Sequence, residues 1–212
     1  MIDYIKTILI FINLFLILFT LQVSENIKNN KYINNLYRYD SNIYIDKDTD
    51  IDYDFINNTI THLKSNEIYE DFYNRNGKIL LTKELEDYNN LNNDASITLG
   101  YIDYKKNLIA IAECLDDEKL KGTIYHELGH YFDKRNNSPS KKDEEFKELY
   151  NKYKDIYWDY GSHSGYCSTN TAEYFASIYK DYYLYNSHLK NKAPELYNYF
   201  KNLIEGGISN EG

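Results

Sequence analysis

With two prolines and nine glycines in 212 residues, this chain offers no Pro-rich or Gly-rich seam, and no internal repeat divides it. One domain of ordinary size is therefore expected, with a short N-terminal appendage. Positive charge is also scarce: 24 Lys and Arg against 33 Asp and Glu leave a formal charge of −9. The chain lacks the basic footprint that nucleic acid requires, and an anionic membrane surface does not suit it. Cysteine occurs twice, as Cys114 and Cys167. Both would tolerate an oxidising compartment; a disulfide between them and two buried thiols stand as alternatives that spacing does not separate.

Long apolar runs are absent but for one. Residues 7–23 are almost unbroken apolar sequence, interrupted by Asn13, Thr20 and Gln22, with Lys6 ahead and Ser24-Glu25-Asn26 behind. That is the layout of a secretory signal peptide or of a retained anchor. The run falls slightly short of the roughly 18 to 20 residues that a membrane span needs. A small-residue cleavage pair is missing, and Asp3 weakens the positive start. Either way the remainder is expected to be exported: secreted, or tethered through residues 7–23 with its folded part outside the cytoplasm. Residues 24–41 are expected as a linker and 42–212 as the folded domain.

What is abundant is tyrosine, with 25 copies. Each buries a large ring but needs a partner for its hydroxyl, which predicts a hydrogen-bonded, wet core. Alternation over 42–46 and the apolar run 78–82 predict strands. Helical spacing of Tyr53, Ile56, Ile60 and Leu63 predicts a helix over 52–64, and a second over 67–73 ends at the Asn76-Gly77 turn. Residues 97–101 and 108–112, separated by 102–107, read as an antiparallel hairpin. A helix follows from Asp116 or Asp117, with Leu120, Ile124, Leu128, Tyr131 and Phe132 as its buried stripe; Asn136, Asn137 and Pro139 end it. Further helices are expected over 141–153, 171–185 and 194–203, with 157–169 as a loop.

Within the first long helix stands His126-Glu127-Leu128-Gly129-His130. Two His four residues apart share a helix face, so both imidazoles can reach one metal ion, and the adjacent Glu can polarise a metal-bound water. Zinc chemistry needs that set: neutral imidazoles, an open position and a base beside it. Chance alone would give the pattern about 0.01 times per chain of this composition. A catalytic zinc usually takes a third protein ligand. His62, His163 and His188 have no supporting sequence and read as surface or core-edge residues. Glu173 is the better candidate, although Asn170 with Glu173 also fits a capping pattern in which Glu reaches back to the helix start.

The segment HELGHYFD, followed by YCSTNTAEYFA, resembles the catalytic domain of anthrax toxin lethal factor and the related Pro-Pro endopeptidases. Those are zincin-type metalloproteases with a His-Glu-x-x-His helix, a Glu ligand on a later helix and a Tyr seven residues before that Glu. The matching positions here are His126, Glu127, His130, Tyr166 and Glu173, and the resemblance covers about residues 42–204. It implies an α+β, zincin-like fold: a small, partly antiparallel sheet packed on the motif helix, with further C-terminal helices. It implies one Zn²⁺ held by His126, His130 and Glu173, with Glu127 as general base toward the zinc-bound water and Tyr166 as oxyanion stabiliser or proton donor. Asp133 also matches a family position, where it either orients a ligand or lies on a solvated helix face. An exposed edge of the hairpin could take substrate as an added strand.

The likeness has limits. Ala172 stands where Pro-Pro endopeptidases carry a second acidic residue, and 92–96 does not match their substrate loop, so Pro-Pro preference is not implied. The large targeting portions of lethal factor are absent from the sequence. The expected activity is therefore an exported, monomeric zinc endopeptidase acting on protein or peptide substrates. Two alternatives are a non-catalytic binding protein on the same scaffold and a membrane-tethered helical interaction protein with an accidental motif.

Overall fold

The computed structural model describes residues 36–49, 53–83, 85, 99–112, 117–157 and 168–206. The expected export segment lies outside them, as do Cys114 and Cys167. Among the described residues no helix is long and apolar enough to cross a membrane.

Five strands, β1 (Leu36–Arg38), β2 (Ile43–Asp46), β3 (Lys78–Thr82), β4 (Gly100–Asp103) and β5 (Leu108–Ala112), form one sheet in the order β1-β2-β3-β5-β4. In β2, Ile43 and Ile45 are buried while Tyr44 and Asp46 are half-buried, the period-two signature of a strand with one inner face. β3 and β5 are apolar almost throughout, as strands covered on both faces are. They lie side by side and parallel, Lys78 opposite Leu108 and Thr82 opposite Ala112. β2 joins β3 in parallel, whereas the two edges, β1 and β4, pair antiparallel with β2 and β5.

Eight helices are described: α1 (Tyr53–Leu63), α2 (Glu67–Asn74), α3 (Asp117–Arg135), α4 (Pro139–Lys142), α5 (Glu144–Tyr153), α6 (Thr171–Leu184), α7 (Asn186–Lys192) and α8 (Pro194–Glu205). α3 carries the motif. Its expected stripe of Leu120, Ile124, Leu128, Tyr131 and Phe132 is buried, joined by Tyr125. Each fully buried Leu or Phe contributes about 1.5–3 kcal/mol, so this stripe fixes the helix against the sheet and α6. α6 is buried without interruption from Tyr174 to Asp181 and is the central helix of the α layer. Phe132, Phe146, Phe175 and Phe200 cluster around it, the Phe175 and Phe200 ring centroids 4.7 Å apart. The tyrosines are partnered as expected: Tyr157 donates to Asp181 at 2.6 Å, Tyr131 to Asp71 at 2.6 Å and Tyr69 to Asn42 at 2.9 Å. The α+β arrangement read from the sequence is the one found.

Four local expectations are corrected. β1 falls inside the stretch expected as linker (24–41); it is an edge strand whose Tyr37 is exposed, and so carries little apolar signal. The hairpin's first strand runs to Asp103 because the Asp103 carboxylate accepts from the Lys105 and Lys106 amides at 2.9 and 3.1 Å. The turn therefore shrinks to 104–107, closed by Asn107 at φ 49°. The helix expected over 141–153 breaks at Asp143, whose extended backbone and side-chain acceptance from the Glu145 amide start α5 afresh. α7 was not anticipated: Leu189 is its one buried residue, too little for a periodic pattern.

Candidate metal centre

On α3, His126 and His130 stand one turn apart on one face, their ring centroids 4.8 Å from each other and the planes nearly perpendicular. α6 supplies the third group. Asn170 caps this helix, its side chain accepting from the Ala172 and Glu173 amides at 3.0 Å each, a bond set worth about 1 kcal/mol. The Glu173 carboxylate turns toward the imidazoles of α3. Its Oε2 lies 3.1 Å from His126 Nε2 and 3.5 Å from His130 Nε2. Two imidazole nitrogens and one carboxylate oxygen thus converge within 4.8 Å of one another, a donor set that fits a metal ion with one position left open.

Close approach of α3 and α6 makes this convergence available, and Gly129 permits it. A Cβ at Gly129 would meet Ala176 Cα at 2.7 Å and Ala176 O at 2.9 Å. Ala176 is three residues beyond Glu173, on the same helix face. At Gly100 a Cβ would meet two side-chain ends, Thr123 Cγ2 at 2.7 Å and Ile111 Cδ1 at 2.8 Å, so β4 lies close to the motif helix and a larger residue there would push those side chains aside.

The electrostatics follow from burial and pairing. Burial pushes the Glu127 carboxyl up, with His126 and His130 opposing and Glu173 adding to the rise; the net direction is upward. Glu127 is only 5% exposed. Burial also pushes Glu173 up, but the hydrogen bonds to His126 and His130 outweigh it and hold this carboxyl well below the usual range. For His130 burial works downward, and the bond to Glu173 with the charges of Glu127, Glu173 and Asp133 overcomes it, leaving the imidazole raised. The Glu173 carboxylate, held ionised, favours positive charge where the three donors converge.

Asp133 is buried but turned to another task. Its two oxygens accept from the Ser140 amide at 2.9 Å and the Ser140 hydroxyl at 2.7 Å, which anchors the α4 turn instead of a ligand imidazole. That corrects both readings of this residue, as ligand-orienting group and as solvated face. Tyr166 and His163 lie outside the described residues. His62 sits at the core edge with Nδ1 3.0 Å from Tyr125 Oη, and His188 packs on the Tyr157 ring; neither joins the centre.

Two residues at the site had no sequence signal strong enough to single them out. Ser177 Oγ lies 3.3 Å from His126 Nδ1. Its position four residues after Glu173 was the available clue. Tyr104, at the hairpin turn, donates its hydroxyl to the His130 carbonyl at 3.2 Å. Desolvation, together with the charges of Glu127, Asp133 and Glu173, raises the phenol.

The comparisons with known proteins agree with this geometry. Residues 106–203 match the family model described as anthrax toxin lethal factor, N- and C-terminal domain, a stretch that contains α3 and α6. No curated protein matches the sequence. Among solved structures, the Pro-Pro endopeptidase (PPEP-2) from Paenibacillus alvei superposes with a TM-score of 0.54, at 20% identity, over 76% of this chain and 96% of that one. The chain is therefore similar to the anthrax toxin lethal factor domain over residues 106–203, which carry the motif, and shares its α+β, zincin-like fold with a Pro-Pro endopeptidase.

Proposed function

We propose that this protein is a zinc-dependent endopeptidase acting on protein or peptide substrates. The observation that carries the reading is the convergence of His126, His130 and Glu173 with the buried carboxyl of Glu127 beside them. A Zn²⁺ held by those three side chains would supply Lewis acidity, polarising the scissile carbonyl and acidifying a water.

Glu127 would serve as general base toward a water at the site and pass its proton to the leaving amine. Burial of Glu127 keeps bulk water from exchanging the proton between the two halves of that transfer. His126, His130 and Glu173 hold position; Ser177 contacts an α3 side chain and Tyr104 the α3 backbone. β4 is an outer strand of the sheet among the described residues and lies beside α3, which supports binding of substrate as an added strand. From the resemblance, Tyr166 is assigned to the oxyanion, which Tyr166→Phe would test by a loss of turnover with little change in substrate binding. Export rests on the apolar segment 7–23, and fractionation of the expressing cell checks it.

The deciding experiment is cleavage of a diverse peptide library by the zinc-loaded full chain beside Glu127→Ala. Cleavage by the native chain and none by the variant is the expected result. Zinc binding without cleavage by either protein would favour a non-catalytic binder on this scaffold.

A further inference from the structure

His126 is met on both ring nitrogens by one helix. Its Nε2 faces Glu173 Oε2 at 3.1 Å, and its Nδ1 faces Ser177 Oγ at 3.3 Å. Glu173, Ala176 and Ser177 are spaced i, i+3 and i+4, as are His126, Gly129 and His130 on the facing helix. The two patterns meet with Gly129 against Ala176, which brings Ser177 up to the imidazole. Ser177 is 1% exposed, so no bulk water competes for its hydroxyl.

A ring nitrogen that ligates a metal must present a lone pair, so the proton of a neutral imidazole sits on the other nitrogen and needs an acceptor. For His126 that acceptor is Ser177 Oγ. We propose that Ser177 is a positioning residue that fixes His126 in the tautomer and ring orientation presenting Nε2 to the metal. The proposal rests on the reading of His126, His130 and Glu173 as a metal site.

A hydroxyl suits this place better than a carboxylate or carbonyl because it both donates and accepts. With metal bound, His126 Nδ1–H donates to Ser177 Oγ. Without metal, His126 Nε2–H donates to Glu173, and the hydroxyl rotates to donate to Nδ1. The ring keeps one orientation in both states, and the site, which already holds Glu127 and Glu173, gains no further negative charge.

The test is Zn²⁺ affinity by chelator competition for the full-length native chain, Ser177→Ala and Ser177→Thr, with the visible spectrum of the Co²⁺ forms and thermal unfolding of the metal-free proteins. Ser177→Ala is expected to weaken Zn²⁺ binding about tenfold and alter the Co²⁺ bands while metal-free unfolding stays nearly unchanged. Ser177→Thr, which retains the hydroxyl, recovers most of the affinity. Native-like affinity and Co²⁺ bands in Ser177→Ala overturn the proposal, as does an equal loss in both variants when their metal-free folds are intact. Failure of the native chain itself to bind Zn²⁺ overturns the metal-site reading instead, and the two failures are distinguished by the native control.

Discussion

Gly129 and Ala176 touch backbone to backbone: a Cβ on the glycine would stand 2.7 Å from Ala176 Cα, closer than real contacts allow. The distance between the ligand helices is therefore set by a residue that ligates nothing. Gly129→Ala should gain about 1 kcal/mol of helix propensity, but overpacking against a backbone costs about 1–3 kcal/mol and has no flexible side chain to absorb it. The helices must part, carrying Glu173 away from His126 and His130. We expect a net loss of stability of up to about 2 kcal/mol in denaturant unfolding, and weaker Zn²⁺ binding in the same variant. Stability and zinc affinity at native level would remove Gly129 from this role.

Glu127 separates binding from chemistry. It is buried beside the ligands yet is not one of the converging donors. Glu127→Gln keeps its shape and removes the base. Turnover should fall by about 10²-fold or more, while Zn²⁺ still binds and the fold stays intact. Peptide cleavage rates measured beside zinc content check both halves. Equal activity in the variant would assign the proton transfer elsewhere.

Glu173 had two readings in the sequence, reaching back to the Asn170 cap or ligating a metal, and its carboxylate lies against His126 and His130 while Asn170 holds the helix start. Changing Glu173 should therefore spare α6 and act on metal linkage. A ligand that binds only the folded state adds about 2.7 kcal/mol at a hundredfold excess over its Kd. Zn²⁺ at that level should raise the unfolding free energy of the native chain by this amount and do markedly less for Glu173→Gln. Denaturant unfolding with and without Zn²⁺ reads the difference; an undiminished zinc effect in the variant would exclude Glu173 as a ligand.

The parts of this fold that were legible in the sequence are those with strong period or strong chemistry. The His126/His130 spacing, the stripe from Leu120 to Phe132 and the Asn170 cap all act within one helix, where sequence distance is spatial distance. Ser177 and Gly129 were not legible, because their roles exist only across the α3–α6 contact. β1 was hidden by its exposed side chains, and α7 by having one buried residue. Asp133 failed for a related reason: its partner, Ser140, lies seven residues on, beyond the helix end, where no helical spacing points.

Asp71 on α2 ties down the end of the motif helix. It accepts from Tyr131 Oη at 2.6 Å and from Arg135 Nε at 3.3 Å, and from Arg75 Nε at 3.0 Å on its own side. Burial raises this carboxyl, but the bonds from Tyr131 and Arg75 and the charge of Arg135 outweigh it, and the net direction is downward. A carboxyl depressed in the folded state contributes stability that is fully present above its unfolded value of about 3.9 and is lost as pH falls through the lower folded value. Asp71→Asn keeps the shape and removes the charge. At neutral pH it should cost about 1–2 kcal/mol, a charged hydrogen-bond set reduced for partial exposure. The gap between native and variant in urea unfolding should hold from neutrality down to about pH 5 and close below about pH 4. A gap that persists at low pH, or one that widens only on the alkaline side, would place the stabilisation elsewhere. Since Tyr131 and Arg135 follow His130 by one and five residues, the same variant should also loosen Zn²⁺ binding, because the last turns of α3 carry the second imidazole.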